Sequence, residues 1–221
     1  MVIDKEIARI MINRYTNAKY HEFFYPEIKP FIYSYEIMEY ESNKEIIADN
    51  FNEKRRIGEN GRYICELIRN DMIEEFIIYV NQFNISLNSQ IQPSLFETNQ
   101  FLLENSNSIS LIEYSAFFGS IQIFKYLYMN NVPLNSDLWL FSIHGSNPEI
   151  IVFLEEHQIK PKEPKFWECF VESIKCHHND IAEYIQNNLL VERRNIFLIK
   201  IYAHLHSIYD KEQFDENKIE Y

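Results

Sequence analysis

The sequence predicts an all-α chain of stacked helix–turn–helix repeats. Three observations carry that expectation. Apolar residues recur at helical spacing through most of the chain, with no sustained strand-like alternation. Residues 110–135, SLIEYSAFFGSIQIFKYLYMNNVPLN, align on the segment that follows and on two others. Two of only four glycines, Gly119 and Gly145, fall in one column of that alignment, between two helical runs. A two-helix unit alone buries one apolar face at best, so about three units are needed for stability.

The copies are YICELIRNDMIEEFIIYVNQFNISLN, the 110–135 segment, SDLWLFSIHGSNPEIIVFLEEHQIKPK and ECFVESIKCHHNDIAEYIQNNLL. In the first helix Ile64, Ile112, Leu138 and Phe170 align; in the second, Phe76, Ile123, Ile150 and Ile181. A leucine-type column follows with Val80, Leu127, Leu154 and Ile185, separated by 47, 27 and 31 residues. Five residues later come Ile85, Val132, Ile159 and Leu190, apolar side chains that would pin the returning chain. Gly119 and Gly145 are both expected to take positive φ where the first helix ends. His177 and a residue near Asp71 must do that work in the other copies, and the copy with Gly145 carries one inserted residue.

The 110–135 segment resembles the ankyrin repeat, T-P-L-H-x-A-A-x-x-G-H with an apolar second helix and a closing Asn. Ser110, Ile112, Ala116, Gly119, Lys125, Tyr126, Leu127 and Asn135 fit; the T-P-L-H turn reads SLIE, SDLW and ECFV. FETNQFLLEN, LIEYSAFFGSIQIFKYL, LWLFSIHGSNPEII and ESIKCHHNDIAEYIQNNLL look like a divergent ankyrin-like domain-of-unknown-function family expanded in parasitic flagellate protists. The similarity spans roughly residues 40–190 and implies an ankyrin solenoid, with no biochemical activity attached.

The expected organisation is an N-terminal helical cap over 1–60, four degenerate repeats over 61–190 and a C-terminal helix with an acidic tail over 191–221. A loop insertion at about 89–109 interrupts the repeats, with a short helix in PSLFETNQFLL starting near Pro93. In the cap, Ile3, Ile7, Ile10, Met11, Arg14 and Tyr15 outline a first helix that ends before Pro26, PFIYSYEIMEY a second, and Ser42 with Glu45 a capping box opening a third.

Composition narrows the function. A net charge of −12, with basic runs no longer than Lys54-Arg55-Arg56, argues against nucleic acid. No apolar run approaches a membrane span. Three cysteines without disulfide-like spacing suit a reducing interior, so the chain is expected in the cytoplasm, as a monomer. No nucleophile elbow, phosphate loop or H-E-x-x-H motif is present, so no catalytic residue, cofactor or resident metal is assigned.

A non-catalytic protein-binding scaffold is the leading expectation. The resemblance places recognition on the residues just before the turn: Arg69 and Asn70, Phe117 and Phe118, Ile143 and His144, Lys175 and Cys176, with Trp139 in the position of the T-P-L-H histidine. Aromatic and arginine side chains there suit interface anchors, although Phe117, Trp139 and Ile143 can equally pack between repeats. The alternative is a metal- or redox-responsive regulator using Cys169, Cys176, His177 and His178. Cys169 and Cys176 lie two helical turns apart, a spacing that also suits buried structural thiols.

Overall fold

The computed structural model describes residues 18–43, 45–47, 49–105, 109–162 and 166–190. The expected first helix, around Ile3–Tyr15, and the expected C-terminal helix over 191–221 lie outside the described residues. Within them the chain is all-helical, with no extended strand. It divides into two compact units, one drawn from Met1–Glu66 and Gln90–Ile109, the other from Leu67–Ser89 and Ser110–Tyr221.

The first unit contains α1 (Ala18–Phe23), α2 (Tyr25–Ile28), α3 (Ser34–Glu41), α4 (Phe51–Ile57) and α7 (Gln100–Glu104). The insertion is therefore not a loop of the repeats, because it shares a core with the N-terminal region. Leu95 and Phe96 are buried with Tyr25, Ile46 and Phe51. Polar contacts fix the register. Glu45 accepts from Ser94 Oγ at 3.1 Å and from the Leu95 amide at 2.7 Å, and Asn60 Nδ2 donates to the Gln92 carbonyl at 3.0 Å. Arg55 makes a two-pronged ion pair with Glu27, at 2.7 and 2.6 Å.

Two local expectations change. Glu45 is engaged by the insertion, so no capping box forms with Ser42, whose hydroxyl donates to the Glu39 carbonyl instead. The insertion helix starts not at Pro93 but after Asn99, whose side chain accepts from the Leu102 amide at 3.1 Å.

The repeated segments form four helix pairs. They are α5 (Tyr63–Arg69) with α6 (Ile73–Gln82), α8 (Leu111–Phe117) with α9 (Ile121–Met129), α10 (Leu138–Gly145) with α11 (Pro148–Glu156), and α12 (Trp167–Lys175) with α13 (Asn179–Tyr184). The unit boundary falls inside α5, after Glu66. The second-helix columns are core, while Ile64 in the first-helix column and Ile85, Ile159 and Leu190 in the last are only partly buried. Phe76, Ile123, Ile150, Leu127, Leu154 and Ile185 have no exposed surface, and Val80 and Ile181 have almost none.

Backbone hydrogen bonds repeat with the columns. After the second helix, Ile85, Val132, Ile159 and Leu190 each donate to the carbonyl five residues back, on Val80, Leu127, Leu154 and Ile185. In the first three pairs the preceding residue, Asn84, Asn131 or Gln158, has φ of 49°, 64° or 57°. This is the Schellman cap, in which the residue after the left-handed position packs an apolar side chain back on the last turn. The same bond closes the first helix at Met72, Ser120 and His178, after Asp71, Gly119 and His177 at φ of 49°, 67° and 59°.

Gly145 departs from its expected role. The residue inserted in that copy shifts the left-handed position to Ser146, at φ 48°, and Gly145 stays helical. Glycine is required there by close approach, since a Cβ would lie 2.1 Å from the Ala116 carbonyl oxygen and 2.8 Å from the Gly119 nitrogen.

Other bonds join successive pairs or tie a pair to the loop that ends it. The Asp71 carboxylate accepts from the amides of Gln122 and Ile123, both at 3.0 Å, at the start of α9. Asn147 Nδ2 donates to the Gly119 carbonyl at 2.8 Å. Ser110 and Glu113, within SLIE, form a capping box, and Glu113 also accepts from Asn135 Nδ2 at 2.8 Å. One copy on, Trp139 Nε1 donates to the Ile159 carbonyl at 2.6 Å. SLIE and SDLW thus each bind the loop that ends their own copy.

Candidate functional site

The residues before each first-helix turn form a side-chain ladder across the four pairs. The Arg69 guanidinium lies 5.9 Å from the centre of the Phe118 ring and donates to the Tyr114 hydroxyl at 3.1 Å. Phe118 meets Phe117 edge-on at 4.9 Å, and Phe117 stacks on His144 at 5.0 Å and 22°. His144 Nε2 is 3.1 Å from Glu172 Oε1, and Cys176 Sγ is 3.5 Å from His144 Nδ1. Lys175 closes the series on Glu172 Oε2 at 3.1 Å. The order follows from the repeat, because Arg69, Phe117, His144 and Lys175 each stand two residues before the left-handed turn position, with Phe118 and Cys176 one residue before it.

The candidate recognition residues separate by burial. Trp139 and Ile143 have no exposed surface and Phe117 is 8% exposed, so these three support the ladder from within. Arg69, Phe118 and His144 are half-buried, while Asn70 and Lys175 are exposed. A partner approaching this face meets the second group.

Cys169 is buried, His177 is exposed and His178 precedes α13; none of them joins Cys176 in a cluster. Cys176 instead faces His144 and Glu172, the group of three potential metal-binding side chains found among the described residues. The sequence contained part of this contact. His144 and Cys176 occupy one column in adjacent copies, and Glu172 stands one helical turn before Cys176. Glu172 and Tyr114 escaped the sequence reading because each acts toward a neighbouring helix.

The electrostatics differ along the cluster. The hydrogen bond from His144 holds the Glu172 carboxyl below its ordinary range against the opposing effect of burial, with help from Lys175. Burial, reinforced by the Glu172 charge, pushes the Cys176 thiol up to about 11. At neutral pH that thiol is protonated and a weak nucleophile.

No family model, no curated protein and no solved structure matches this chain.

Proposed function

We propose that the chain is an ankyrin-like repeat scaffold that binds a protein partner along the ladder face, without catalysis. The supporting observation is the ladder itself. Four successive helix pairs present Arg69, Phe118, His144 and Lys175 in order, the first three held by neighbouring side chains and Lys175 exposed beside Glu172. Pre-ordered aromatic and cationic side chains lose little rotamer entropy on binding, the property of interface anchors. The repeated Schellman caps and the bonds from SLIE and Trp139 to the loops that end their own copies support the ankyrin-like part of the reading.

The proposed protein is monomeric and cytoplasmic, with neither nucleic acid nor membrane as partner. Its three cysteines are not disulfide-bonded, and among the described residues no helix is long and apolar enough to cross a membrane. The raised Cys176 thiol counts against redox sensing, which selects thiols of low pKa.

A photo-crosslinking side chain at position 118 tests the proposal. The control is the same group at Met129, a highly exposed residue on the second helix of that pair. The expected result in cells is one discrete adduct from position 118 that is lost with Arg69→Ala and absent from position 129. Equal adducts from both positions would overturn the assignment of the face.

A further inference from the structure

We propose that His144, Glu172 and Cys176 form a zinc site at the junction of α10 and α12. Zinc in proteins takes imidazole nitrogen, carboxylate oxygen and thiolate sulfur, and this cluster supplies one of each. Bond lengths of about 2.0–2.3 Å in a tetrahedron set ligand-to-ligand edges of roughly 3.3–3.6 Å. The observed edges from His144 Nε2 are 3.1 Å to Glu172 Oε1 and 3.9 Å to Cys176 Sγ; the sulfur lies nearer Nδ1, at 3.5 Å, and swings toward Nε2 to join the ion. All three donor atoms lie within 4.8 Å of one another.

The surroundings hold the donors in place. Glu172 and Cys176 are one turn apart on a single helix face, and Cys176 keeps helical dihedrals at the cap of α12. Phe117 stacks on the imidazole and fixes its plane. Lys175 engages Glu172 Oε2, leaving Oε1 turned to the cluster. The His144 and Glu172 side chains are 15% and 18% exposed, partly screened yet reachable by an ion from solution. Three protein ligands leave a fourth position for water or for a partner's side chain. Coordination displaces the thiol proton to solvent, shifts the imidazole proton from Nε2 to Nδ1, replaces the His144–Glu172 hydrogen bond with two bonds to the ion, and ties two successive helix pairs together.

Cobalt substitution in the full chain provides the test, because a Co(II)–thiolate bond gives a near-ultraviolet charge-transfer band and tetrahedral Co(II) gives intense visible bands. The expected result is one Co(II) per chain with both features, displaced by one equivalent of Zn(II). Cys176→Ser should abolish the charge-transfer band and weaken binding at least about 100-fold, beyond the range for outer-shell changes. Glu172→Gln should keep the band and weaken the site, with folding of both variants checked by circular dichroism. Cys169→Ser should change neither band nor affinity. Binding without a thiolate band, a band that survives Cys176→Ser, or no binding at micromolar metal would each overturn the proposal.

Discussion

Replacing Gly145 with alanine adds one methyl group at a point with no room for it. In an open helix this change would stabilise by about 1 kcal/mol, the difference in helix propensity. Here the new Cβ lies 2.1 Å from the Ala116 oxygen, 2.8 Å from the Gly119 nitrogen and 3.1 Å from the Gly119 Cα. All three are backbone atoms, so no side chain can swing aside and the two helix pairs must separate by about 1 Å or more. Overpacking of this kind costs typically 1–3 kcal/mol and occasionally more, and a backbone-to-backbone clash belongs at the upper end. The net expectation is a loss of about 2 kcal/mol. The neighbouring residue should respond with the opposite sign. Ser146 is left-handed at φ 48°, a conformation that costs roughly 1–2 kcal/mol without glycine. Ser146→Gly should therefore stabilise by about 0.5–1 kcal/mol after the added flexibility of the unfolded chain is subtracted. Urea unfolding of both variants against the parent measures the pair. A Gly145→Ala protein as stable as the parent, or a Ser146→Gly protein less stable, would refute the assignment of close approach to one residue and turn geometry to the next.

Four further expectations follow from the described geometry. Leu127 has no exposed surface in the column shared by all four copies, so Leu127→Ala should cost roughly 2–5 kcal/mol; an unchanged melting transition would show the register to be wrong. Phe118→Ala removes the ring beneath Arg69 and should weaken partner binding by about 1–3 kcal/mol; calorimetry that shows lost stability at unchanged affinity would take Phe118 off the recognition face. Burial raises the Glu27 carboxyl, but the Arg55 bonds outweigh it and hold the folded value below 4.5. Their stabilisation is complete above pH 4.5 and fades as pH falls through the folded value, so Glu27→Gln should flatten the acid limb of the stability profile; an identical limb would contradict this. In the folded protein only Cys176 should alkylate, slowly at neutral pH and faster toward about 11, as mass spectrometry can follow; rapid labelling of Cys65 or Cys169 would contradict their burial.

The helix pairs were legible because their information is local and repeated. Leu127, Leu154 and Ile185 carry the same apolar demand at the same place, and the left-handed turns at Asp71 and His177 could be located by alignment alone. Gly145 was misread because a glycine near a helix end looks alike in sequence whether it serves a positive φ or a close approach. The inserted residue that separates those uses acts only through three-dimensional register. The association of the insertion with the N-terminal unit was hidden for a different reason. It rests on contacts such as Glu45 with Ser94 and Leu95, between segments far apart in sequence with no shared pattern. In the candidate site, the column alignment brought His144 opposite Cys176, while Glu172 needed the fold to turn α12 toward α10.

The bonds between successive helix pairs also have a mechanical meaning. Asp71 holds the start of α9, Asn147 holds the Gly119 carbonyl, and Trp139 holds the loop at Ile159. The first two tethers each span one junction, and the third closes the end of a single pair. Under tension applied between residues 70 and 190, such a chain gives way one junction at a time instead of rupturing as a block. The leucine column recurs every 27 to 31 residues over the last three pairs, so each rupture there should release roughly 100 Å of extended chain. A pulling experiment would record this as a sawtooth, its lowest peaks marking the junctions with the fewest tethers.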